Sequence, residues 1–220
     1  MEKDIHDRRP VRTRDTRWAA SAARTLQRLG FTPNAISLFS IVFSLVSALC
    51  FIAVWQLEFL WMQRLLLLIA AAGIQGRLIC NLLDGMVAVE GGLRSPAGAV
   101  YNELPDRISD TVLFLGAGYG LTRLIGAVEL AWVASLLALF TAYVRLLGGT
   151  CGLAQRFSGP MAKQHRMAVL TAAALVGVVM PVWGEVSLFG ALVIIALGAA
   201  WTTVRRTRTI LKALQQQEAQ

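Results

Sequence analysis

Apolar residues run along this chain in six long stretches, at about 35–55, 62–83, 107–125, 127–147, 167–183 and 186–204. Short polar or glycine-containing breaks separate them, the least distinct lying between Arg123 and Glu129. A helix needs roughly 20 mostly apolar residues to cross a bilayer, so each stretch predicts one membrane-spanning helix. Residues 16–30 differ. Small, apolar and basic positions alternate there at helical spacing, which predicts a helix lying in the membrane interface; a disordered basic arm also fits this segment. The first apolar stretch begins only beyond residue 34 with no small-residue cleavage site before it, so no secretory leader is expected. The expected fold is an all-α, integral membrane six-helix bundle with an N-terminal interfacial helix. It is read as one domain over 1–220: a basic arm at 1–34, spans over about 35–204 and a tail at 205–220.

Composition agrees. Of the 220 residues 56% are apolar and 15% charged, and the mean hydropathy is +0.59, which excludes a disordered chain and leaves little for a soluble domain. The net charge of +8 would suggest nucleic acid in a soluble protein. Its placement points elsewhere. All but Arg64 and Arg123 of the 21 basic residues fall in four places: before residue 35, around the second break (Arg77, Arg94, Arg107), around the fourth (Arg145, Arg156, Lys163, Arg166), or after the last span. The positive-inside rule then puts both termini and these loops in the cytoplasm, against anionic lipid headgroups, and no nucleic-acid partner is expected. Cys50, Cys80 and Cys151 show no paired spacing and are expected as reduced thiols.

In so apolar a chain the informative residues are acids. Asp84, Asp106 and Asp110 lie where the second and third spans meet the cytoplasmic face. A charge at that depth is costly and usually faces a polar cavity. Asp106 and Asp110 are four apart, on one helix face, with Asn102 a turn earlier; Asn81 and Asp84 share a face of the preceding helix. Two helices offering oxygen donors toward one point suit a hard divalent cation, Mg²⁺ or Mn²⁺. The plainer alternative is a set of helix-end ion pairs with Arg77, Arg94 and Arg107. Gly85, Ala88 and Gly98, interleaved with the polar residues, would allow close approach of a ligand or simply of a neighbouring helix.

The run Asn81-Leu-Leu-Asp84-Gly85-Met-Val-Ala88-Val89, eight residues, Gly98, three residues, Asn102, three residues, Asp106 resembles the CDP-alcohol phosphotransferase signature, D-x2-D-G-x2-A-R-x8-G-x3-D-x3-D, with every spacing kept. Thr32-Pro33-Asn34-Ala35-Ile36-Ser37 is similar to the T-P-N-x-x-[TS] segment of that family. The chain departs from the signature at Asn81, Asn102 and Val89, and carries an extra Asp110. It resembles a divergent bacterial branch. An alternative register, with Asp106 and Asp110 as the final pair, needs a four-residue insertion after Gly98.

The resemblance implies transfer of a phosphatidyl or substituted phosphoryl group from a CDP-linked donor, CDP-diacylglycerol foremost, to an alcohol acceptor with release of CMP, in phospholipid synthesis at the bacterial inner membrane. By position it implies Asn81, Asp84, Asn102, Asp106 and Asp110 as the Mg²⁺ or Mn²⁺ site, with Asp106 as base and Asp110 as a replacement ligand or base. Asn34, Ser37, Gly85, Ala88 and Gly98 would border the CDP moiety. The basic loop bearing Arg145, Arg156, Lys163 and Arg166 would hold an acidic or phosphate-bearing acceptor, and fits equally well as a positive-inside anchor. The resemblance also implies a homodimer. The substitutions leave a second class open, a catalytically silent relative that binds CDP-lipid as scaffold or regulator.

Overall fold

A computed structural model describes residues 16–90, 92–93, 96–153 and 159–218, and all their regular secondary structure is helical. The helices are α1 (Arg17–Arg28), α2 (Pro33–Val54), α3 (Leu60–Glu90), α4 (Gly98–Gly120), α5 (Ala127–Thr150), α6 (Lys163–Val179) and α7 (Gly184–Glu218), with a 3-10 turn at Pro181–Trp183 before α7. Local chemistry explains the start of α2. Thr32 is extended and its hydroxyl accepts from the Ala35 amide at 3.2 Å, while Pro33 takes the first helical position, where a missing N–H costs nothing.

Four helical segments are long and apolar enough to cross a membrane: Pro33–Val54, Leu60–Val89, Ala127–Thr150 and Pro181–Gln217. The other two expected spans are helices of another character. The first half of α4 carries Glu103, Asp106, Arg107 and Asp110, and α6 has 17 residues and begins with Lys163 and Arg166. The elements also overrun the expected limits. α3 continues to Glu90, α4 starts at Gly98 and runs through Pro105, and α7 extends to Glu218. An apolar run marks only the membrane-embedded part of a helix, whereas backbone hydrogen bonding carries on into polar sequence.

The packing inverts that of a soluble bundle. The inward face of α2 is Ile36, Ser37, Ser40, Ser44, Ser47, Ala48, Phe51 and Val54, whereas Leu38, Val42, Leu45 and Leu49 point outward and exposed. Lipid tails solvate leucine as well as another helix would, so the helix contact falls to small residues that let backbones approach. Most of the buried hydroxyls bond backbone carbonyls: Ser40 to Ser37, Ser44 to Ser40, and Ser47 both to Phe43 and across to Ala70 of α3. α2 packs on α3 and α4, α5 on α4 and α7, and α6 on α3 and α7. The central core includes Phe51, Leu67, Phe114, Leu170 and Leu188. α1 lies on α3, with Ala19 and Ala23 packed among Ile36, Leu83, Met86 and Val87.

Gly116 and Gly120 of α4 set the distance to α2. A Cβ on Gly116 would come within 2.5 Å of the Ala48 Cα and 2.9 Å of its carbonyl oxygen, and one on Gly120 would strike the Phe51 carbonyl. Gly116→Val is therefore expected to lower stability by about 1–3 kcal/mol, as overpacking does. Gly190→Ala, at a position with nothing within 4 Å of the added Cβ, should leave it nearly unchanged. Thermal unfolding of the detergent-solubilised variants reads both.

Candidate active site

Three helix ends meet at one end of the bundle: the last turns of α3, the first turns of α4 and the start of α6. From α3 come Arg77, Asn81 and Asp84. Asp84 is 5% exposed, and its Oδ2 accepts from the Ser37 hydroxyl at 2.5 Å. Both polar atoms of the Asn81 amide are buried with no hydrogen-bond partner, an arrangement that native interiors rarely tolerate without a ligand or water.

From α4 come Glu103, Asp106 and Asp110, on one face by helical spacing, and each meets cations. Glu103 pairs with Arg145 of α5 at 2.5 Å. Asp106, 6% exposed, accepts from Lys163 Nζ at both carboxylate oxygens, 2.8 Å at Oδ1 and 2.6 Å at Oδ2. Arg77 and Arg107 lie farther off, each 3.6 Å from it. Asp110, 2% exposed, has Arg77 Nη2 at 2.7 Å from Oδ1 and Arg166 Nη2 at 2.7 Å from Oδ2.

The arginines are themselves built in. Arg77 is fully buried; its Nη2 also donates to the Asp106 carbonyl oxygen at 3.1 Å, and its Nη1 to the Met167 sulfur at 3.0 Å. Arg166, 1% exposed, donates from Nη1 to the Met161 carbonyl at 2.9 Å and to Thr141 Oγ1 at 3.3 Å. Arg77, Asp110 and Arg166 thus form a dry cation–anion–cation row joining α3, α4 and α6.

The residues expected from sequence are distributed as follows. Asp84, Asp106 and Asn81 converge: the Asp84 carboxylate lies within electrostatic reach of Asp106 and Lys163, and Asn81 is one turn before Asp84 on α3. Asn102 is exposed near the start of α4. Asp110 is in the same cluster with both oxygens on arginines, which is the ion-pair alternative for that residue. Ser37 is buried against Asp84; Asn34, a turn before Ser37, Gly85 and Ala88, next to and a turn after Asp84, and Gly98, at the start of α4, are half-buried. Of the cations assigned to the acceptor, Arg145, Lys163 and Arg166 each hold an α4 acid, and Arg156 lies outside the described residues, as does Arg94. Glu103 as a partner escapes sequence reasoning; Arg77 is among the ion-pair partners expected from sequence, and an arginine inside an apolar run is a signal that a buried partner exists.

The donors fit a hard divalent cation. Asp84 and Asp106 supply carboxylates from two helices, and the Asn81 amide oxygen, buried and unpartnered, supplies a neutral donor of the same hardness. Among the described residues no three acidic, histidine or cysteine side chains gather as a ligand set, so such a site has two carboxylates rather than the four of the signature.

The fold is shared with a solved membrane enzyme. It is similar to the solved phosphatidylinositol phosphate synthase of Mycobacterium tuberculosis with CDP-DAG bound, at TM-score 0.75 and 23% identity over 89% of this chain and 94% of that one. The same enzyme in complex with manganese and citrate matches at TM-score 0.74 and 22% identity, over 88% of each chain. In sequence the chain is similar to the inner membrane protein YnbA of Escherichia coli, 29% identical over 181 residues, which is 82% of this chain and 84% of that protein. No family model matches the sequence.

Removing the shared anion of the buried row strands two guanidinium groups without solvent. Asp110→Ala is expected to destabilise the protein by about 3–5 kcal/mol, and joint replacement of Arg77, Asp110 and Arg166 by Met, Leu and Met should recover most of that loss. Unfolding of the two variants in detergent, compared with the parent, checks the pair.

Proposed function

We propose that this chain is a membrane-embedded CDP-alcohol phosphotransferase. It transfers a phosphatidyl or substituted phosphoryl group from a CDP-linked donor, CDP-diacylglycerol foremost, to the hydroxyl of an alcohol, releasing CMP, in bacterial phospholipid synthesis. The observation that carries this is the convergence of Asp84 and Asp106 beside the unpartnered Asn81 amide, at positions with the spacing of the signature. In this reading the whole chain is one domain, α2 to α7 are six spans of an inner membrane, α1 rests in the interface, and both termini and the site face the cytoplasm. A homodimer is the proposed assembly.

The roles combine these contacts with the positions that the signature implies. Asp84, Asp106 and Asn81 would hold Mg²⁺ or Mn²⁺, with Asn102 near the rim; such a cation would supply positive charge against the diphosphate. Ser37 fixes the Asp84 carboxylate through its 2.5 Å bond, so the ligand is oriented before any substrate arrives. Arg77 fixes the Asp106 backbone through the carbonyl oxygen. A carboxylate oxygen of Asp106 takes the proton of the acceptor's hydroxyl as the hydroxyl oxygen bonds to phosphorus and the phosphorus–oxygen bond to CMP breaks. Asn34, Gly85, Ala88 and Gly98 would border the nucleotide, and Arg145, Arg156 and Lys163 the acceptor. Asp110 and Arg166 are proposed as structural anchors rather than as ligand, base or acceptor contact, because each has its charged group committed to a buried partner.

A silent relative that binds CDP-lipid without turning it over is the competing proposal. It is favoured by the amides at Asn81 and Asn102, which lend oxygen to a cation without neutralising its charge.

CMP release decides between them. With CDP-diacylglycerol, Mg²⁺ or Mn²⁺ and a panel of acceptors (glycerol phosphate, inositol phosphate, serine, a second phospholipid), the purified protein is expected to release CMP with at least one acceptor. Asp84→Asn and Asp106→Asn should each lower that rate by at least about 100-fold, the scale of a lost acid–base or metal contact. Tight CDP-lipid binding with no release across the panel would establish the silent relative, and full activity in either variant would remove the assigned site.

A further inference from the structure

The two oxygens of Asp106 that would bind a divalent cation are already taken. Lys163 Nζ sits 2.8 Å from one and 2.6 Å from the other, the lengths of charge-assisted hydrogen bonds. A cation on the same carboxylate would place two positive charges in contact inside a poorly solvated site, where repulsion is barely screened. The two arrangements therefore compete.

The surroundings allow the lysine to be the one that moves. Arg77 and Arg166 are locked by several bonds each in the interior, whereas the Lys163 side chain retains 17% exposure and four rotatable bonds. It stands on the first residue of α6, after Ala162 in extended conformation. Asp106 does not depend on it for position, since its backbone oxygen is held by Arg77 at 3.1 Å. Without Lys163, Asp106 would keep only the 3.6 Å contacts to Arg77 and Arg107.

We propose that Lys163 is a displaceable internal counter-ion: its ammonium neutralises Asp106 while no divalent cation is present, competes with that cation for the carboxylate, and leaves when the cation binds. This deepens the metal-dependent reading above and rests on it. Lys163 thereby sets how tightly the site holds metal, in a chain whose signature has already lost two carboxylates to Asn81 and Asn102.

The test is direct Mn²⁺ binding, read by the electron paramagnetic resonance signal of free Mn²⁺ over the full-length protein in detergent. Lys163→Met, which keeps the apolar stem and removes the charge, is expected to bind Mn²⁺ at least about tenfold more tightly than the parent. Lys163→Arg should bind no more tightly than the parent. Arg107→Met removes a cation that is near Asp106 but not on both its oxygens, and should change affinity less than about threefold. Equal or weaker binding by Lys163→Met, or an equal gain from Arg107→Met, overturns direct competition while leaving the metal site in place. No Mn²⁺ binding by the parent and by Lys163→Met alike overturns both the competition and the metal-dependent reading.

A second measurement needs no variant. The chain has three lysines, Lys3, Lys163 and Lys212, so labelling by an amine-reactive ester can be followed peptide by peptide. Saturating Mn²⁺ is expected to speed modification of Lys163 relative to Lys212. Unchanged or slower modification overturns the displacement.

Discussion

Two guanidinium groups with almost no solvent around them share a single carboxylate, and the relative placement of three helices follows from that sharing. Asp110 stands 2.7 Å from both Arg77 and Arg166, so α3, α4 and α6 must each present one end to a common point. In such surroundings an unpaired charge is worth several kcal/mol of destabilisation. The alignment is therefore obligatory. Asp106, one turn before Asp110, inherits its position from it, and Arg77 reinforces this by holding the Asp106 carbonyl. The residue proposed to do chemistry and the residue proposed to do none are neighbours on one helix face, and the second makes the first possible.

The rest of the bundle obeys the opposite logic. Where the acids and arginines meet, specificity comes from charge; along the spans it comes from the absence of bulk. Ser44, Ser47 and Ala48 of α2, with Gly73 of α3 and Gly116 of α4, bring backbones together because lipid gives no reason to hide leucine. Serine adds something alanine cannot. Its hydroxyl bonds a carbonyl of its own helix or, at Ser47, of the next one, so polar atoms stay satisfied at close approach. At Ser37 the same stripe reaches the site and orients Asp84.

Much of this is visible in the chain alone, for definite reasons. Helix geometry turns the intervals from Asn81 to Asp106 into faces, and an acid in an apolar run has few uses, so Asp84 and Asp106 can be found without coordinates. The apolar stretches locate the helices but not their ends, since α3, α4 and α7 continue where polarity resumes. What stays hidden is partnership. Nothing in the order of residues says that Arg166 meets Asp110, that Lys163 meets Asp106 or that Arg145 meets Glu103, because these pairs join residues 42 to 57 positions apart on helices whose packing the pattern does not specify. Arg77 stands between: sequence offers it, beside Arg94 and Arg107, as a helix-end partner for the acids, but not that it is fully buried between two of them.

The buried row also bears on how such a chain can be made. Synthesis runs from the N terminus, so Arg77 emerges well before Asp110, and Asp110 before Arg166. While only α3 exists, Arg77 has no acid of α4 to face; α4 brings Asp106 and Asp110 to it, and α6 then brings Lys163 to the first and Arg166 to the second. Insertion of α3 and α4 as one hairpin, with α6 closing the arrangement last, satisfies each stage in turn. The order of helices along the chain is thus also the order of the row itself: cation, anion, cation.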